Sequence, residues 1–352
     1  MSNIKDIKNI SLLYNKNNKN NKEIKEIKEI KEIKEIKEIK EIKEIKEIKE
    51  IKEIKEIKEE ENKYIKNNIK IILVCVGNFQ NYILHNIKNL INYGNNDIVV
   101  ITENKFFKNF NNFNITLIDI CELDDKNYNK NSKLSRGFWH LCSLRLFYLY
   151  SYIMKNDIKN SIHIENDVML YKNISEFSFN TNKVCAVFDC FNRVIPSIIY
   201  IPSYQQFTPI INNYDYNKND MENLSKFNED IIERLPIYIF DKSTKEKEMI
   251  TKNFEKYGLI FDGAAIGQYL GGIDPNNKKG DTRGFINETC VINYSKNNFF
   301  WIKNENTNLY YPSIMIDNNI IPIFNLHIHS KKLENFMAEN PIENKYISFE
   351  MF

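Results

Sequence analysis

The sequence is short of the residues that break or staple a chain. Ten glycines and eight prolines among 352 residues exclude collagen-like and glycine-linker classes. The six cysteines (Cys75, Cys121, Cys142, Cys185, Cys190 and Cys290) are scattered, with no CxxC pair and no zinc-ribbon spacing. Several lie in apolar runs and read as reduced core residues, which favours a reducing compartment. No apolar run reaches the roughly 18–20 residues of a membrane span, and the polar N-terminus carries no signal-peptide core. A soluble, cytoplasmic protein is therefore expected. Charge of one sign is lacking too: 49 Lys and Arg face 47 Asp and Glu, a net of +2. Without a dense basic patch, nucleic-acid binding is disfavoured.

Apolar surface, by contrast, is plentiful. The chain is 42% hydrophobic, with 23 Phe and 20 Tyr, enough for one large domain or two modest ones. Residues 1–66 stand apart as low complexity, an Asn/Lys tract followed by tandem Lys-Glu-Ile triplets from Lys22 to Ile57. On a helix a three-residue step turns each Ile by about 300°, so the apolar stripe drifts and forms no seam. The period also misses the coiled-coil heptad. A solvated helix or disordered tail is expected, with an oligomerising coiled coil as the sharper alternative.

Residues 67–352 contain no Pro/Gly/Ser linker and are read as one domain. The near-continuous apolar run Ile69–Val76 suits a parallel strand covered on both faces. Gly77-Asn78 turns the chain, and Ile83, Ile87, Leu90 and Ile91 recur at helical spacing up to Gly94. "DIVVIT" and "NITLIDI" give two more strands, and "GFWHLCSLRLFYLYSYIMKN" a long helix. "KVCAVFDC" and "SIIYIP" read as strands, "NDMENLSKFNEDIIERL" as a helix, and "IPIFNLHIHSK" as a late strand or loop. This order indicates an α/β fold with a mostly parallel, Rossmann-type sheet flanked by helices.

The stretch "SIHIENDVMLYKN" (161–173) places Glu165 and Asp167, one residue apart, inside an apolar run. An unpaired carboxylate is costly in a buried sheet. In an extended chain His163, Glu165 and Asp167 share a face. Paired hard-oxygen ligands at the carboxyl end of a parallel strand suit Mg²⁺ or Mn²⁺ bridging a diphosphate. The bland alternative is a turn, with Asn166 and Asp167 as turn residues, but the resumed apolar run argues that the strand continues. Late in the chain, "NLHIHSKK" sets His327 and His329 on one face of an extended segment, which is also a zinc-ligand pattern. In "FDGAAIGQYLGG", Asp262 is a helix cap or a ligand to substrate hydroxyls. Arg145 sits among Leu144, Leu146 and Phe147 and is either a snorkelling surface arginine or, if buried, in need of a diphosphate or carboxylate partner. "Asn219-Asp220-Met221" reads as a helix cap, with acceptor contact as a second reading.

"HIENDVMLY", after three β/α units and a long helix, resembles the metal-binding DxD region of GT-A-type, nucleotide-sugar-dependent glycosyltransferases. Asp167 matches the last acid of that motif and Glu165 the first, one methylene longer than Asp. The resemblance implies Asp167 as a Mn²⁺ or Mg²⁺ ligand holding the donor diphosphate of a nucleotide-sugar, with UDP-sugar the expected donor, and Glu165 on the metal or ribose. It implies His327 or His329 as a late metal ligand and Lys331 or Lys332 on a phosphate. Val76, Gly77, Asn78, Thr102, Glu103, Arg136 and Arg145 would surround the nucleotide. Asp262 and Glu288 are candidates for a general base on the acceptor hydroxyl. The implied activity is metal-dependent transfer of a sugar to a glycan, protein or small-molecule acceptor. Two other classes stay open: a metal-dependent hydrolase or nucleotidyltransferase, and a non-catalytic scaffold assembled by the repeat.

Overall fold

The computed structural model describes residues 69–277 and 291–342. The Lys-Glu-Ile repeat and Glu288 lie outside them. Seven strands form the central sheet in the order β3-β2-β1-β4-β7-β6-β8. They are β1 (Lys70–Cys75), β2 (Ile98–Thr102), β3 (Thr116–Asp119), β4 (Ser161–Ile164), β6 (Val184–Cys190), β7 (Arg193–Ile201) and β8 (Ile232–Leu235). Strands β1 to β4 pair in parallel, and β6 and β8 are parallel to each other. Strand β7 runs antiparallel to both β4 and β6. The sheet is thus mixed and mostly parallel. The single reversal follows from the tight β6–β7 hairpin, whose Cys190 pairs with Arg193 across a two-residue turn.

The apolar runs explain the placement. All five residues of β2, and all but the first of β1, are buried, as a sheet covered on both faces requires. Helix α1 (Ile83–Asn92) and the long helix α2 (Phe138–Lys155) connect parallel strands. Gly94 ends α1 at φ +79°, a left-handed value glycine accepts without a Cβ penalty. The segment expected as one long helix from 219 is helical only over α3 (Asp220–Leu224) and then becomes β8. Asn219 starts α3 with a capping box closed by Glu222, so the start signal was sound. Its continuation was not, because β8 buries Ile232 and Leu235 beside β6.

One departure decides the geometry of everything downstream. The strand expected to persist through residue 171 stops at Ile164. Residues 165–167 turn, with the Val168 N–H donating to the Glu165 carbonyl at 3.0 Å. The chain then enters β5 (Val168–Leu170), which leaves the main sheet and pairs antiparallel with β12 (Asn325–His327). A third, antiparallel sheet of β9 (Asn298–Lys303), β10 (Tyr310–Ile316) and β11 (Asn319–Pro322) lies between them in sequence. The turn reading of Asn166-Asp167 was therefore correct, and it does not compete with a site. It creates one.

Candidate metal centre at the carboxyl edge of the sheet

The first link is the turn. Asn86 of α1 donates its side-chain amide to the Val168 carbonyl at 2.8 Å and to the Asn166 carbonyl at 3.2 Å. The Asn166 amide reaches the Val74 carbonyl at 2.8 Å and Gln80 at 2.5 Å, and the Glu165 N–H donates to Ser197 on β7 at 2.9 Å. The turn is thus pinned to β1, β7 and α1 at once, which fixes where Glu165 and Asp167 point. Asn86 and Asn89 gave no recognisable signal in the sequence. A buried asparagine on an apolar helix face was the only clue.

The second link comes from the far end of the chain. The Ile328 N–H donates to the Asp167 carbonyl at 2.9 Å, laying the 325–329 segment beside the turn. His327 Nε2 then lies 3.2 Å from Asp167 Oδ2 and 3.7 Å from Glu165 Oε2. One donor atom from each of Glu165, Asp167 and His327 falls within 4.8 Å of the others. His327 Nδ1 is 2.6 Å from the Gly263 carbonyl. A carbonyl only accepts, so Nδ1 carries the proton and Nε2 of the neutral ring is a lone pair. That lone pair faces two carboxylates, an arrangement that is repulsive unless a proton or a cation lies between them. Fixing the other ring nitrogen on a carbonyl is how metal-ligating histidines are commonly oriented, and a mixed carboxylate–imidazole set suits Mn²⁺. The residues fit a divalent ion.

His329 was expected as an alternative ligand and is placed differently. Its Nε2 donates to the Ala264 carbonyl at 2.8 Å, and its ring stacks on His327 with centroids 4.2 Å apart and planes at 19°. Ring lone pairs lie in the ring plane, so two nearly parallel imidazoles do not converge on one ion. The HxH zinc pattern is therefore not assembled. Burial pushes the His329 pKa down to about 3, which keeps that ring neutral.

Arg145, on α2, has the anionic partners its buried position demands. One guanidinium nitrogen holds Glu165 Oε1 and the other donates to Asp220 Oδ2 at 2.8 Å. These carboxylates stand where a diphosphate or carboxylate partner was expected, and they engage both guanidinium nitrogens of Arg145. Asp220, read as a cap or an acceptor contact, is the partner the sequence hid. Burial would raise the Glu165 pKa, but the Arg145 guanidinium beside it holds it down at about 2. Asp220 moves up, because burial outweighs its arginine. Lys331 forms an ion pair with Asp167, and burial lowers its pKa against the pull of Glu165.

Asp262 needs the larger correction. It is fully buried, and each carboxylate oxygen accepts two backbone N–H bonds. Oδ1 takes Ala265 and Ile266 at 3.0 and 2.9 Å, and Oδ2 takes Gly267 and His327 at 2.7 and 2.8 Å. With no lone pair facing solvent, it is a cap that ties α4 (Ile266–Tyr269) to the ligand segment, not a general base. Burial raises its pKa while the backbone N–H donors of His327, Ile266 and Gly267 pull it back. Gly267 matters for the same junction: a Cβ there would run into the His327 carbonyl.

At the neighbouring strand ends, the Gly77 N–H donates to Glu103 Oε1 at 3.0 Å, joining the turns after β1 and β2. Glu103 Oε2 is buried with no partner among the described residues. Thr102 is spent on the sheet, its hydroxyl donating to the Cys75 carbonyl at 2.5 Å. Val76 is buried, and Asn78 and Arg136 are exposed.

No protein-family model matches the chain, and no curated protein matches it. Among solved structures it is similar to the glycosyltransferase GlyE of Streptococcus pneumoniae TIGR4, at 12% identity and a TM-score of 0.33, over 48% of this chain and 46% of that one. It is similar to the PaToxG glycosyltransferase at 11% identity and TM-score 0.28, over 49% of this chain and 75% of that one. A putative glucose-1-phosphate thymidylyltransferase from Bacillus anthracis, in complex with a sucrose, gives 14%, TM-score 0.29, and 51% and 91% coverage. The chain spans less than half the length of the GlyE structures it matches. Among the described residues, no helix is long and apolar enough to cross a membrane.

Proposed function

We propose that the protein is a metal-dependent glycosyltransferase that moves a sugar from a nucleotide-sugar to a hydroxyl acceptor. The observation that carries this is the convergence of Glu165, Asp167 and His327 at the carboxyl edge of parallel strands, where open α/β sheets bind their ligands. These three side chains would hold the ion, Mn²⁺ or Mg²⁺. When bound, it supplies positive charge to a departing diphosphate. Arg145 keeps Glu165 ionised and aimed, and Gly263 keeps His327 in its ligating tautomer. Lys331 is a second cation beside Asp167, placed to meet a phosphate oxygen. The Gly77–Glu103 corner receives the nucleotide, with the unpartnered Glu103 oxygen available to a ribose hydroxyl or base N–H.

Calorimetry with a UDP-sugar and Mn²⁺ tests the reading. Asp167→Ala should abolish Mn²⁺-dependent binding, and full affinity in that variant would place the donor elsewhere. Turnover of a nucleotide-sugar panel separates transfer from the other two chemistries on such a site. Release of nucleoside diphosphate supports sugar transfer. Release of monophosphate identifies a hydrolase, and release of pyrophosphate in a parallel assay supplied with a nucleoside triphosphate and a sugar phosphate identifies a nucleotidyltransferase.

A further inference from the structure

The carboxylate–histidine cluster uses only one end of the β5–β12 ribbon. At the other end β5 runs out into Tyr171 and Lys172, and a cavity of 640 Å³ opens between the C-terminus of α1, the β9–β10 connection and β11. That volume is ordinary for a small-molecule site. Asn86, which pins the metal turn, and Asn92, which lines the cavity, are six residues apart on one helix, about 9 Å along its axis. The two places are separate.

The lining has a definite chemistry. Tyr93, Tyr171, Tyr311 and Phe324 supply aromatic surface. Two of those hydroxyls are already committed, Tyr93 to the Tyr310 carbonyl at 2.7 Å and Tyr171 to the Phe336 carbonyl at 2.9 Å. Those rings are fixed as apolar walls, set nearly perpendicular at 88°. Between them come amides from Asn92, Asn173 and Asn304. The Asn92 Nδ2 is buried and has no hydrogen-bond partner among the described residues, a rare state that calls for an acceptor. Lys172 is the one cation in the lining, beside the carboxylates of Glu176 and Glu339, and Glu339 is paired with Lys88 at 3.4 Å, so the cavity offers an anion no surplus of positive charge. A purely apolar guest would leave the Asn92 amide unmet, and a phosphate would have Lys172 alone to pair with and Glu176 to face. A neutral molecule with C–H faces for the rings and hydroxyls for amides and carboxylates satisfies all three groups.

We propose that this cavity is a saccharide-binding site, distinct from the metal cluster, that seats a neutral sugar against Tyr93, Tyr171 and Tyr311 with a hydroxyl oxygen accepting from Asn92. Binding here requires neither metal nor nucleotide, so the test is independent of the transferase reading. The full chain, free of both, is titrated with maltotriose, cellotriose and triacetylchitotriose by calorimetry and saturation-transfer NMR, with tyramine as a cationic aromatic control. At least one saccharide should bind with a Kd of about 1 mM or tighter. Asn92→Leu, which removes the amide, and Thr307→Trp, which fills the mouth from an exposed loop, should each weaken it at least tenfold, while Asp167→Ala leaves it unchanged. The proposal is overturned if no saccharide binds, if tyramine alone does, if affinity survives both cavity variants in folded protein, or if it disappears with Asp167→Ala.

Discussion

At the scale of single residues, the centre is a set of charges held in unequal balance. Arg145 is the keystone, since removing it strands Glu165 and Asp220 as buried carboxylates. Breaking a buried pair from one side costs about 3–5 kcal/mol, so Arg145→Met should lower the urea unfolding free energy by that order. The sequence asked for an anion at Arg145 only if that side chain was buried, with a snorkelling surface arginine as the default, and Asp220 was masked by its plausible role as a cap. Proton linkage gives a second test. Glu165 titrates near 2 in the fold against an ordinary 4.5, so its stabilisation is complete above about 4.5 and is lost as pH falls toward 2. His163 and His329 are held near 3 by burial, against an ordinary 6.5. Below about 6.5 the unfolded chain takes up their protons first, and stability falls with pH at up to about 1.4 kcal/mol per unit for each ring. Urea unfolding between about pH 6 and 4 should show this slope, and His163→Leu should remove roughly half of it. An unchanged slope would mean that ring is not buried neutral.

Elements act here through their ends. Helix α1 contributes nothing ligating, yet Asn86 holds the 165–168 turn by two carbonyls. Asn86→Leu leaves those carbonyls without their donor, at about 1–3 kcal/mol. Its Mn²⁺ affinity, read by calorimetry, should fall at least tenfold while the far-UV spectrum stays native. Helix α4 acts by proximity, because residue 267 abuts the His327 backbone. Gly267→Ala should displace His327 and weaken metal binding more than it lowers the unfolding midpoint. Neither contact was legible beforehand. Apolar periodicity reports which face of a helix is buried, and it is silent about which backbone a buried amide or glycine meets. The same silence hid the reversal of β7, since parallel and antiparallel buried strands carry the same apolar run. The parallel half of the sheet was legible, because β1, β2 and β3 are short apolar runs separated by plain turn and helix signals.

For the whole molecule, the buried core named here runs from Ile69 to Ala338, and each proposed ligand lies within that range. Deleting residues 1–66 should therefore leave the thermal midpoint and nucleotide binding unchanged. A shift in either, measured by calorimetry on the shortened chain, would tie the repeat to the folded unit. The DxD-like stretch was visible in the sequence because two acids interrupt an apolar run. The identity of the histidine partner was narrowed only to two, since spacing places both on one face, and it is the position of His327 Nε2 beside Asp167 and Glu165 that distinguishes them. His327 and Asp167 are 160 positions apart, and this separation has a consequence in time. Contacts so distant close late, after their loop entropy has been met. A growing chain can assemble β1, β2 and β3 long before residue 325 exists, so the ion-binding set should be among the last things synthesis completes. Premature termination between residues 168 and 326 would leave a chain that carries both acids and lacks the third ligand.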